Sequence, residues 1–235
     1  MSKTTELAIG AVSKDVAGTW EPGAGSPDAY LTFGGKRAAL DVAVIAQPRS
    51  QTKPLARARL REDKVALRVL SDLESAVQPH VPAGRTLIFT LGAPIKEPSK
   101  LVDALTKTLV AYFGSGAKEA DEKKTILGNR VRFRVLDNGA KWSTKALGFV
   151  FSGDPLPGTL ANIARTFHAE IAAKAKTRLP KTFSDERWLV LAIATPIADA
   201  KTYRRLFSLL PSENGFARIL MVLDGRRVES LSELS

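Results

Sequence analysis

The chain has 235 residues, 44% of them hydrophobic, no cysteine, and 35 basic against 24 acidic groups for a formal net charge of +11. Such a composition supports a sizeable buried core and excludes disulfide frameworks and cysteine-ligated zinc. The basic excess is concentrated in residues 51–150, with 18 basic and 10 acidic groups, whereas residues 1–50 hold five of each. Its apolar runs fall far short of the ~20 residues a membrane-spanning helix needs, and the N-terminal stretch lacks the apolar core of a signal peptide. These features predict a cytoplasmic protein with no membrane association.

In chain order, residues 1–17 read as a short helix carrying Glu6, and the Gly-rich stretch 18–25, with Glu21, reads as a connector. Residues 26–46, SPDAYLTFGGKRAALDVAVIA, read as two strands joined by Gly34-Gly35. A Gly-Gly pair between apolar runs signals a two-residue hairpin with positive φ at both central positions. Residues whose numbers sum to 69 then face each other: Phe33 with Lys36, Leu31 with Ala38, Asp28 with Asp41. Directly paired side chains have Cβ atoms about 5 Å apart, and like charges there destabilise a sheet. A carboxylate inside an apolar run needs a partner, so something cationic is expected at this pair. One reading is a divalent cation held by both acids. The other is structural, with Asp28 capping a turn and Asp41 bonded to a buried arginine or to backbone donors.

Pro54 suits a first helical position, and a helix over 55–77 follows, with Ala66, Val69, Leu70, Leu73 and Val77 inward. Arg57, Arg61, Lys64 and Arg68, spaced 4, 3 and 4 apart, would line one side of it. Such a stripe can follow a phosphate backbone or form a solvated face. Residues 85–92 read as a buried strand and 99–113 as an amphipathic helix capped by Ser99. Residues 115–124 read as a charged loop. Residues 129–137 alternate, with Arg130, Arg132 and Arg134 on one face and Val131, Phe133 and Val135 on the other. Three arginines in a row, near Lys141 and Trp142, suit phosphate contact and stacking; a solvent-facing strand has the same pattern. Residues 146–152 are expected to pair back onto that strand. A helix over 160–179 carries Lys174, Lys176 and Arg178 in its last turns. It leads into an apolar strand at 188–194, a helix at 199–210, and strands at 217–223 and 227–231.

Pro27-Asp28, a short strand, a turn, and an apolar strand carrying Asp41 (Leu40-Asp41-Val42-Ala43) together resemble the signature of the PD-(D/E)XK, or restriction-endonuclease-like, superfamily. The resemblance implies an α/β (α+β) fold in which helices flank a central mixed β-sheet. Residues 1–235 would form one nuclease-like domain, with room for a basic insertion around 50–150. It further implies that Asp28 and Asp41 bind Mg²⁺ for phosphodiester hydrolysis, with Glu6 or Glu21 as an extra ligand. The lysine that normally stands two positions after the second acid is Ala43 here. Either another lysine supplies its function, with Lys174 or Lys176 the candidates, or the chain keeps the fold and binds nucleic acid or a protein partner without cleaving. His80 and His168 lack the spacing of a zinc site, and no phosphate-cradling glycine loop is present.

Overall fold

The computed structural model describes residues 1–45, 60–61, 63–116, 121–137, 142, 144–152, 157–179, 186–211 and 214–232. In chain order its elements are α1 (Lys3–Asp15), β1 (Thr19–Pro22), β2 (Ala29–Phe33), β3 (Lys36–Val44), α2 (Lys64–Val77), β4 (Arg85–Gly92), α3 (Pro98–Gly114), β5 (Glu122–Ile126), β6 (Asn129–Asp137), β7 (Ala146–Phe151), α4 (Pro157–Ala175), β8 (Glu186–Ile193), α5 (Ala200–Phe207), β9 (Arg218–Leu223) and β10 (Arg227–Ser230). The class is α+β, with two mixed sheets and, among the described residues, five α-helices. No described helix is long and apolar enough to cross a membrane. The chain divides into two compact units. The first comprises Met1–Arg49, Arg165–Ala200 and Glu213–Ser235, and the second Ser50–Ala164 and Lys201–Ser212. The second takes in the span where the sequence concentrates its basic excess.

The first unit holds a six-stranded sheet in the order β1-β2-β3-β8-β9-β10. Gly34 and Gly35 adopt φ of +51° and +76°, a bend only glycine takes without strain, and Phe33 pairs with Lys36 and Leu31 with Ala38 as the two-residue loop requires. Strand β3 then runs parallel to β8, and β8 parallel to β9. Parallel strands covered on both faces read as continuous apolar runs, and from Ala38 to Ala43 every residue of β3 is buried. Helix α1 starts where the Ser2 hydroxyl accepts from the Thr5 amide at 3.2 Å. It packs Ala8, Ile9 and Val12 against Ala38, Leu40 and Val42 of β3 and against Trp188 and Val190 of β8. Alternation along the strand therefore turns Asp41 to the face opposite α1.

The second unit holds a four-stranded sheet in the order β5-β6-β4-β7. One core gathers α2, α3 and the faces of β4 and β6 that bear Leu87, Phe89, Val131 and Phe133. Strand β7 pairs in parallel with β4 and not with β6, so the predicted return onto the arginine strand is corrected. The β6 edge is taken instead by β5, which begins inside the 115–124 stretch expected to be loop and runs beyond it, through a second tight turn with Leu127 and Gly128 at φ of +47° and +71°. Helix α2 begins at Lys64, where the Asp63 carboxylate caps it by accepting from the Ala66 amide at 3.0 Å; Leu60 and Arg61 before it are not helical, which interrupts the helix expected over 55–77, and residues 55–59 lie outside the described residues. Helix α3 begins at Pro98, whose missing N–H costs nothing at a first helical position; Ser99 is not its cap. The outer edge of β7 is closed locally. Gly148 donates its amide to Glu74 Oε1 at 2.7 Å and accepts from Arg205 Nε at 2.7 Å, while Arg205 and Glu74 are themselves ion-paired. Satisfying edge groups in this way removes a template for pairing with another chain.

A Cβ on Gly148 would lie inside van der Waals contact of the Phe89 ring and 2.6 Å from a methyl of Leu70. Overpacking of this kind costs about 1–3 kcal/mol. Gly148→Ala is therefore expected to lower the denaturant midpoint of unfolding with little change in slope.

Candidate functional site

Asp28 sits just before β2 and Asp41 in the middle of β3. The carboxylate of Asp28 reaches across the hairpin: its Oδ2 accepts from the Val42 amide at 2.7 Å and from Lys174 Nζ at 2.8 Å. Asp41 is fully buried, and the Arg187 guanidinium meets its Oδ2 through Nε at 2.8 Å and Nη2 at 2.7 Å. Ser26 Oγ approaches Asp41 Oδ1 at 3.5 Å. Each acid thus has its own cation, which answers the charge expected at this pair.

The register explains the second contact. Ala39 pairs with Arg187 and Asp41 with Leu189 on parallel strands, so Arg187 lies one diagonal step from Asp41 on the same face. Arg187 also donates through Nη2 to the Lys174 carbonyl at 2.8 Å and to Thr177 Oγ1 at 2.6 Å, and its guanidinium carbon lies 4.8 Å from the centre of the Phe216 ring. One side chain therefore satisfies the buried acid and a carbonyl of the last turn of α4, where cations are favoured. Lys174 projects from that turn to Asp28. The outer pair keeps access to water, with Lys174 and Asp28 side chains 24% and 25% exposed, whereas Arg187 and Asp41 retain 13% and 1%.

The structure brings Asp28, Asp41 and Lys174 into one network and adds Arg187, which the sequence reading did not single out. Lys176 is exposed beyond the end of α4. The two proposed extra acids stand elsewhere: Glu6 is exposed on α1, on the opposite face of the sheet from Asp41, and Glu21 is ion-paired with Arg37. Among the described residues no three Asp, Glu, His or Cys side chains converge as a metal site would require.

The predicted basic residues are dispersed within the second unit. Arg57 lies outside the described residues. Arg61 precedes α2, which corrects the four-residue helical stripe. Arg61 lies 3.4 Å from Asp63, and Arg68 lies 3.7 Å from Asp72. Lys64 is exposed at the start of the helix. On β6, Arg130 is exposed and Arg132 half-buried, while Arg134 is drawn to Asp121 at 3.7 Å. Asp121 in turn accepts from the Gly158 amide at 2.8 Å, so Arg134 serves local structure. No family model matches the chain, and no curated protein or solved structure does so either.

Removing one partner of a buried ion pair leaves an uncompensated charge and costs about 3–5 kcal/mol, whereas replacing both by apolar groups of similar volume is often neutral. Arg187→Met alone should therefore destabilise the chain strongly in urea unfolding, and Asp41→Leu/Arg187→Met should recover most of the loss. Lys174→Met should cost less, since Asp28 still reaches water.

Proposed function

We propose that the chain is a nucleic-acid-binding protein built on a nuclease-like fold, in which the acidic pair of the hairpin serves the framework and not metal-dependent cleavage. The observation that carries this reading is the charge balance, with Asp28 set against Lys174 and Asp41 against Arg187, the latter acid fully buried. Mg²⁺ demands near-octahedral oxygen coordination and retains several waters. Asp41 offers no solvent-facing oxygen, and its Oδ2 is already held by a guanidinium. Adding a divalent ion to a balanced set of two acids and two cations would leave an excess of buried positive charge. The residues as arranged do not fit the metal, and Ala43 in the place of the signature lysine agrees with this.

Polyanion binding is supported by the net charge of +11 and by exposed cations in the second unit. A cytoplasmic setting agrees with a chain that lacks cysteine.

One observation favours hydrolysis as a second reading. Lys174 Nζ reaches Asp28 from another element, where a relocated lysine would act, and among the described residues Asp28 Oδ1 takes no hydrogen bond. The two readings separate in a nicking assay on supercoiled and single-stranded DNA with Mg²⁺ or Mn²⁺. The expected outcome is retention of DNA in gel shift without turnover. Cleavage that Asp28→Asn and Lys174→Met each abolish, in folded protein, would overturn the binding-module reading.

A further inference from the structure

We infer that β10 is a self-pairing edge, through which a second copy of this chain joins the six-stranded sheet of the first unit across a two-fold axis. The described residues give the two sheets four edge strands, β1 and β10 in one and β5 and β7 in the other. An open edge is a template for another strand, and proteins blunt such edges with proline, with lysine or by covering them. Three of these four are blunted. Pro22 ends β1, opposite Ala29. Consecutive lysines, Lys123 and Lys124, put one cation on each face of β5. On β7, Leu60 forms an antiparallel bridge to Phe151 and the Arg61 amide donates to the Val150 carbonyl at 2.7 Å, beside the closure at Gly148. Strand β10, Arg227-Val228-Glu229-Ser230, carries neither proline nor lysine, and among the described residues no strand lies beyond it.

The backbone fixes which groups of β10 face outward. Leu231 donates its amide to the Ile219 carbonyl at 2.9 Å, and hydrogen-bonded positions alternate along an antiparallel pair. With Arg227 opposite Leu223 and Glu229 opposite Met221, those two residues turn their amides and carbonyls to β9, and Val228 and Ser230 turn theirs outward. A second β10 running antiparallel must set outward residues against outward residues, so the two-fold axis is centred on a residue of the strand and not between two. Centring on Arg227 or on Glu229 sets like charges face to face, which destabilises a sheet. Centring on Ser230 sets Glu229 against an apolar Leu231. Centring on Val228 sets Arg227 against Glu229 of the second copy, twice, while the two Val228 residues exchange amide and carbonyl bonds. Within one chain the Arg227 guanidinium meets Glu229 through Nη2 at 2.6 Å and Nε at 2.7 Å. It has five donors on a side chain 67% exposed, so it can hold both carboxylates in a ring of four alternating charges.

The sheet face next to this edge is open in the same place. Val228 stands opposite Val222 and packs with it on the side of the sheet that α1 covers. Between α1 and β10 runs an open groove of ≈ 860 Å³, whose lining includes Leu7, Gly10, Ala11 and Val228. Leu7 is 52% exposed, and a Cβ placed on Gly10 would meet no atom within 4 Å. Charges of both signs line the groove too, Glu6 and Lys14 among them, so it does not repel a copy of itself. A two-fold axis at Val228, normal to the sheet, keeps α1 of the second copy on this side and carries it toward the groove with its own Leu7. Strand β10 is four residues long, so apolar burial along the groove supplies most of the association and the strand supplies its register.

The test is sedimentation velocity of the full chain across a wide concentration series, in which the wild type should move from the mass of one chain to that of two. Arg227→Glu should weaken association about tenfold, since it turns two attractive cross-strand pairs repulsive. Arg227→Glu/Glu229→Arg restores the pairing in reverse and should recover the dimer. Val228→Pro should abolish it, and because the Val228 amide faces outward the change removes no bond to β9. Circular dichroism and thermal midpoints establish that each variant is folded. The chain has no cysteine, so Val228→Cys introduces a lone thiol. Across the axis two such residues stand about 5.5 Å apart at Cα, within disulfide reach. Mild oxidation should therefore give a covalent dimer with Val228→Cys and none with Thr125→Cys on β5. A wild type that stays monomeric at every concentration overturns the inference. So does a dimer that Val228→Pro and the charge reversal leave unchanged, which would place the contact elsewhere. A dimer that a DNA duplex dissolves overturns it as well, because the edge would then belong to nucleic acid.

Discussion

The first unit is organised by one electrostatic constraint, the burial of Asp41 at the centre of a sheet covered on both faces. A carboxylate removed from water is several kcal/mol out of balance unless a cation and further donors meet it. Only a side chain arriving from the neighbouring strand can do so without breaking the core, and the parallel register places Arg187 where it can. Because a guanidinium has five donors in a fixed plane, Nε donates to the acid while Nη2, also close to that carboxylate, bonds the Lys174 carbonyl and Thr177. A single ion pair therefore fixes strand register and the position of the last turn of α4, and that turn carries Lys174 to Asp28. A one-residue slip of β3 would turn Asp41 onto the α1 face, among Leu40 and Val42 neighbours that can donate nothing.

Much of this arrangement was legible in the residues, and the gaps have physical causes. The hairpin could be read because Gly34 and Gly35 fix the loop at two residues, and that fixes which residues meet. The need for a cation followed from placing an acid within an apolar run. Lys174 was accessible as a candidate because it ends a helix leading into an apolar strand. Arg187 escaped notice because it opens that strand, where a charged residue ordinarily marks the edge of the buried run. Its signal was available only jointly with pairing: two apolar strands in parallel, one with an internal acid and one headed by an arginine. Similar logic explains β5, whose side chains are mostly in water and show no apolar period. The strand exists through backbone bonds to β6, which sequence periodicity does not register. Pro54 and Asp63 both suit a helix start; α2 itself starts at Lys64, where the Ala66 amide donates to the Asp63 carboxylate.

The same accounting connects the inner ion pairs to the outer charge. Asp28, Asp41, Glu74, Asp121 and Asp137 are each committed to a basic side chain within their own unit. Every such pairing removes one acid from the field that solvent ions and partners feel, together with one cation. Exposed cations of the second unit, Lys64, Lys96, Lys123 and Arg130 among them, contribute to the formal excess of +11. A composition-level excess says only that a polyanion would be attracted. Seen this way, Asn129 matters to the second unit as Arg187 does to the first. Each hydrogen-bonds the backbone of a lysine, Asn129 that of Lys96 and Arg187 that of Lys174, and so fixes where that side chain starts.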